Sequence, residues 1–139
     1  MKYGSISAGS KEAVDTAKQI FSNGGNAFDA GVAAAFTSMT SEFSLTGAGG
    51  GGIMIGMDPK SKPYIYDFFV DCPVITNKNS DFKKINVDFG STSQNFHIGM
   101  ASSAIPGNIS GLLDIHQQKG LLPLHAVLEP AIDIAKNGV

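Results

Sequence analysis

A thiol, three imidazoles and a few hydroxyls are the side chains of this chain that could do chemistry. Cys72 is a candidate nucleophile, His97, His116 and His125 are candidate bases or ligands, and Ser41, Ser44 and Thr46 stand just ahead of a run of glycines. A thiol attacks an acyl carbon as the thiolate, so a catalytic cysteine needs a base or a cation held against it. Cys72 precedes Pro73 in no such context, and a buried, inert thiol is expected. The histidines fit no spacing by which two imidazoles share one face around a metal, so hydrogen-bonded or solvated rings are expected and no metal site is assigned. Ser41, Ser44 and Thr46 do not form the Gly-x-Ser-x-Gly turn that exposes a hydrolase serine. No catalytic residue is assigned within the chain.

Consecutive glycines at Gly49–Gly52 could let backbone amides approach an anion. A phosphate-binding loop, however, opens a helix, whereas here a helical pattern precedes the glycines and an apolar strand, Ile53-Met54-Ile55-Gly56-Met57, follows. No nucleotide or other cofactor is therefore expected. The structural reading is that another backbone packs on this loop too closely for a Cβ, especially at Gly50 and Gly51.

The elements around these residues follow from spacing. Ser10 predicts a helix N-cap, Glu12 lies in the first turn, Ala13, Val14, Ala17, Ile20 and Phe21 recur at helical intervals, and Asn23-Gly24-Gly25 ends the helix. Asn26 with Asp29 predicts a second cap, and the small residues from Ala30 to Ala35, present on every face, predict a helix buried between other elements. The glycine run then enters a buried strand, Asp58–Lys62 forms a turn, and Tyr64–Val70 returns as its antiparallel partner. Residues 71–95 are polar and turn-rich and read as irregular, with His97–Ala101 as a third strand. Pro106-Gly107 starts a helix carrying Ile109, Leu112, Leu113 and Ile115, which Lys119-Gly120 ends. Pro123 suits the first turn of another helix, and Pro130 restarts or kinks it before Asn137-Gly138 closes it.

The chain's 139 residues suffice for one domain, and no composition break divides them. Apolar residues make up 42% and charged residues 16%, below the roughly 25% of typical soluble domains, so part of the surface is expected to be covered. That apolar fraction excludes disorder, and the net charge of −2 lacks the basic excess that nucleic-acid binding needs. The longest apolar helical stretch, Ala27–Met39, is too short to span a bilayer, so no membrane partner is expected. Met1–Ser5 runs into polar residues without the apolar stretch of a signal peptide. With Met1 as the true start the cytoplasm is the expected compartment; otherwise the compartment stays open.

In order and spacing, these segments resemble the amino-terminal part of the gamma-glutamyltranspeptidase family of N-terminal nucleophile hydrolases. Gly24-Gly25-Asn26-Ala27-Phe28-Asp29-Ala30 is similar to the family's Gly-Gly-Asn-Ala-Val-Asp-Ala segment, and Ser44–Met54 to its four-glycine loop and strand. Ile105-Pro106-Gly107 resembles the Val-Pro-Gly helix start, and Glu129-Pro130-Ala131-Ile132 with Gly138-Val139 resembles the Pro-Ala-Ile…Gly-Phe segment. The resemblance implies an α/β (α+β) fold: part of an αββα sandwich with two to three antiparallel strands and flanking helices. Residues 1–139 would then be a single incomplete domain, the opening of a large subunit. Its partners would be the remainder of that subunit and a catalytic small subunit, and its substrate a small-molecule or peptide amide such as glutathione. The resemblance further implies a zymogen that cuts itself to free a threonine nucleophile, which lies outside this chain. One departure concerns the substrate: aligning Asp67-Phe68 and Pro73 puts Phe69 where the family's carboxylate-clamping arginine stands and Val70 where a glutamate stands. A phenyl ring cannot replace a guanidinium fork, so glutamyl specificity is not expected to follow automatically. A non-catalytic relative with a structural or binding role is the alternative.

Overall fold

The computed structural model describes residues 4–59, 61–74 and 80–139. Helices α1 (Lys11–Ser22) and α2 (Ala27–Ser41) come first, then strands β1 (Gly52–Gly56), β2 (Tyr64–Phe68), β3 (Lys83–Asp88) and β4 (Ser93–Ile98). A short 3-10 turn, Met100–Ser102, precedes helices α3 (Asn108–Lys119) and α4 (Leu124–Asn137). Among the described residues, no helix is long and apolar enough to cross a membrane.

Both predicted caps form. The Ser10 hydroxyl accepts from the Ala13 amide, and after Asn23 the chain escapes the helix through Gly24 at φ +88°, a conformation that a Cβ disfavours. The Asn26 side chain accepts from the Phe28 and Asp29 amides while Asp29 Oδ2 accepts from the Asn26 amide at 2.9 Å, a complete capping box. Asp29 does more than its spacing predicts. It is fully buried and also accepts from the Leu121 and Leu122 amides, so one carboxylate satisfies donors of the α2 start and of the α3–α4 connection. Asn26 Nδ2 adds a 2.7 Å bond to the Lys119 carbonyl.

The small residues of α2 let it sit at the centre, against α1 on one side and α3 and α4 on the other. Ile20, Val32, Ala33, Leu112, Ile115 and Val127 are its dry core, and Thr16 and Thr37 satisfy each other across the α1–α2 contact at 3.0 Å. Truncating Leu112 or Ile115 to alanine would cost about 2–5 kcal/mol by lost transfer energy and cavity formation. α4 runs unbroken through buried Pro130, whose missing amide and bulky ring the helix absorbs, so no restart occurs. Pro123 stands one position earlier than expected, at the N-cap.

β1 and β2 pair antiparallel, with Gly52 opposite Phe68, Ile55 opposite Ile65 and Gly56 opposite Tyr64. The second strand ends at Phe68, so Phe69 and Val70 lie beyond it. Met54, Tyr66 and Phe68 pack on the helices, whereas Ile53, Ile55 and Ile65 are each exposed by more than 60%. The strand expected to be buried is thus covered on one face only. The segment expected to be irregular contains a second hairpin, β3 with β4, closed through Gly90 at φ +86°. Apolar residues do alternate along it, Ile85 and Val87 on β3 with Phe89 just past its end and Phe96 and Ile98 on β4, yet nearly all its residues are exposed and turn residues surround it. The expected third strand is correspondingly shifted: β4 stops at Ile98 and the chain leaves through Gly99 at φ +110°. Asn77 and Asn79, part of the irregular reading, lie outside the described residues.

Candidate functional site

Three separate stretches of chain interlock where the glycine loop meets the end of β2. A Cβ on Gly51 would stand 2.7 Å from the Phe69 carbonyl carbon, 2.9 Å from the Phe68 oxygen and closer still to the Val70 nitrogen. No side chain fits there, as the glycine run suggested. At Gly50 a Cβ would lie 3.1 Å from Asn108 Nδ2, a tighter fit than usual, while Gly47 and Gly49 face open space. The third stretch is the start of α3. Gly107 lies directly against the Phe68 and Phe69 carbonyls, and Gly111, one turn on, lies against the Phe68 ring.

Hydrogen bonds close the same knot. The Gly107 and Asn108 amides both donate to the Gly50 carbonyl at 3.0 Å, giving the first free donors of α3 an acceptor. The buried Asn108 side chain donates from Nδ2 to the Gly47 carbonyl at 2.7 Å, and that carbonyl also accepts from the Gly50 amide at 3.1 Å. Beyond β2, Asp71 and Ile105 exchange both backbone bonds, at 2.8 and 3.2 Å. Phe69 is therefore held at backbone level from the glycine loop, from α3 and from the Asp71 bridge. Its amide donates to Asp67 Oδ1 at 3.1 Å and its ring is 63% exposed, while Val70 beside it is half-buried. A cavity of about 320 Å³ opens beside the knot, lined by Ser38, Thr46, Gly51, Phe68, Asn108 and Leu112; Phe69 does not line it.

The remaining candidates lie apart. Cys72 is exposed rather than buried, because the chain after β2 runs along the outside; its amide donates to Asp71 Oδ1. His116 Nε2 lies 2.9 Å from the Leu122 carbonyl and 3.5 Å from Asp29 Oδ1, a bracing position between α3 and the following loop. His97 stacks on Phe82 with ring centroids 4.5 Å apart, and His125 is exposed in the first turn of α4. Among the described residues no three His, Cys, Asp or Glu side chains gather into a metal-binding group. The Ser41 hydroxyl lies 3.1 Å from that of Ser10 and donates to the Thr37 carbonyl, which is a tie between helices. At the far end of the first hairpin Asp58 pairs with Lys119 at 2.8 Å, and the ammonium sits 4.9 Å from the Tyr64 ring centroid. The bond to Asp58, with help from Tyr64, pushes the Lys119 ammonium up to about 12, and the bond to Lys119 holds the Asp58 carboxyl below its ordinary range.

Asn108 was not singled out by sequence reasoning. Its signal was present, a polar amide at the start of a helix after Pro-Gly, but nothing local tells that its side chain reaches back 61 residues to Gly47.

Helices flanking an antiparallel hairpin, entered through a glycine loop that abuts the end of the second strand, are shared with solved transpeptidase structures. Gamma-glutamyltranspeptidase from Pseudomonas nitroreducens, solved with L-DON, superposes with a TM-score of 0.77 at 30% identity, over 97% of this chain and 39% of that one. The transpeptidase CapD of Bacillus anthracis superposes with a TM-score of 0.74 at 27% identity, over 97% and 40%. The family model for gamma-glutamyltranspeptidase matches residues 13–139, and the chain belongs to that family. In sequence it is 34% identical to a glutathione hydrolase proenzyme of Pseudomonas aeruginosa and 31% identical to the capsule biosynthesis protein CapD proenzyme of Bacillus anthracis. It spans only 24% and 21% of those relatives' lengths.

Proposed function

We propose that residues 1–139 are the opening part of the large subunit of a gamma-glutamyltranspeptidase-like amidohydrolase or acyltransferase. The complete protein cleaves a gamma-glutamyl or related acyl amide, such as glutathione, and passes the acyl group to water or an amine. Its nucleophile is a threonine freed by self-cleavage, outside this chain, which contributes scaffold and one wall of the acyl site. The observation that supports this reading is the seating of Gly51 on the Phe68–Val70 backbone, which holds position 69 in a chain of this family. With an apolar ring there, a substrate carboxylate has no partner on this side, and uncharged acyl groups are preferred.

The same ring favours the second reading, a non-catalytic relative that binds or scaffolds. Expression of the complete reading frame separates the two: self-cleavage exposing an amino-terminal threonine, with amide turnover, supports the enzyme, and an intact, inert precursor overturns it. In the active protein, Phe69→Arg with Val70→Glu is expected to shift kcat/KM toward gamma-glutamyl substrates by about 2 kcal/mol, roughly thirtyfold. Strong glutamyl turnover by the parent would show that the clamp lies on another residue.

A further inference from the structure

We infer that Asn108 is a positioning residue for the acyl site, setting the placement of residue 69 through the glycine loop rather than by touching substrate. Its kinetic consequence rests on the proposed function; its structural core does not. Asn108 is 5% exposed, and its amide group sits between the two halves of the knot. Nδ2 holds the Gly47 carbonyl at 2.7 Å, and the backbone amide holds the Gly50 carbonyl at 3.0 Å, so this one residue grips the loop at two points three residues apart. Gly51, the next residue, is the one pressed on the backbone of Phe68, Phe69 and Val70. Phe68 is pinned from behind by Gly107 and Gly111 of the same helix. Displacement of the loop away from Asn108 removes the close backbone packing on one side of residues 68–70, while the Gly52–Phe68 pairing and the Asp71–Ile105 bridge hold the chain before and after, so residue 69 is the position left to shift. Phe69 is mostly exposed, so side-chain packing adds little to this backbone clamp.

A change at Asn108 that keeps its shape but removes the donor isolates this role. Asn108→Asp is such a change: protonated, the new carboxyl can donate to the Gly47 carbonyl as the amide does; ionised, it cannot and repels it. The complete protein would carry trifluoromethyl-phenylalanine at position 69. In Asn108→Asp its fluorine resonance is expected to coincide with that of the parent at low pH and to depart from it as the new carboxyl ionises, the parent recorded at every pH serving as the reference for the carboxylates already near residue 69, Asp67 on its amide and Asp71 two residues on. Over the same transition KM for an uncharged acyl amide is expected to rise about tenfold with kcat unchanged, since the nucleophile lies elsewhere. A folded Asn108→Asp protein whose fluorine resonance stays with the parent across that range overturns the inference, even if its thermal midpoint falls. A resonance that titrates while KM does not overturns the role in substrate binding. A parent without amide turnover defeats the proposed function instead, and the fluorine titration then decides the role of Asn108 alone.

Discussion

At the scale of single residues, the four glycines Gly49–Gly52 are not equivalent, although the sequence presents them as one run. Gly51 has backbone atoms of three residues where its Cβ would be, and backbone cannot swing aside as the end of a long side chain can. Gly49 has nothing within 4 Å, and neither glycine has the positive φ that would by itself demand glycine. Gly51→Val is therefore expected to destabilise by about 3 kcal/mol through overpacking, and Gly49→Ala by less than about 0.5 kcal/mol. Thermal midpoints of the two variants check this; equal midpoints would show that the loop yields. The expectation from sequence placed the constraint at Gly50 and Gly51 together, whereas the geometry concentrates it at Gly51.

Between elements, the fold is tied at both ends of the first hairpin. One tie is the glycine knot; the other is the Asp58–Lys119 pair, which holds the β1–β2 turn to the end of α3. Lys119 is raised from 10.5 to about 12, so its contribution is fully present below 10.5 and is lost as pH climbs through about 12. Asp58 is lowered from 3.8, so its contribution is present above 3.8 and is lost as pH falls through the depressed folded value. The pair thus stabilises across the whole range between those limits. Both side chains are partly exposed, so the effect is small and screened by salt. Asp58→Asn is expected to lower the thermal midpoint slightly at pH 7 in low salt and to make no difference once Asp58 itself is protonated. A difference that persists below the pH at which Asp58 protonates in the folded protein would mean that the substitution acts through something other than charge.

For the molecule as a whole, the outer face of the first hairpin and the short share of its relatives' length agree with an incomplete catalytic unit. Ile53, Ile55 and Ile65 stand open on one face of a two-stranded sheet, more apolar surface than such a sheet leaves to water when finished. Within the chain, Cys72 and His97, His116 and His125 occupy separate places, each histidine in a bracing, stacked or solvated setting. The chain by itself is accordingly expected to hydrolyse neither gamma-glutamyl anilides nor simple acyl amides above background. Turnover that vanishes on mutating a residue of this chain would contradict that.

Local sequence determined the elements whose causes are local. Ser10 and the Asn26–Asp29 box set two helix starts because a cap needs partners only two or three residues away. The small residues of α2 announced a central helix, since small side chains let neighbouring helices approach closely, although Gly31, Ala34 and Ala35 stay only half-buried. The β3–β4 hairpin was legible in the alternation of Ile85, Val87 and Phe89 with polar residues, but the turn residues on either side of it outweigh that short pattern, and Cys72 was misplaced because burial of a lone thiol depends on where the chain runs after β2. The site was decided in three dimensions. Asn108 reaches Gly47 across a separation that no local pattern encodes, whereas the seating of Gly51 on residues 68–70 continues the β1–β2 ladder one rung past the Gly52–Phe68 pair. The Asn108 bond exists because packing α3 on the same core as the hairpin brings its first turn within hydrogen-bond range of the glycine loop.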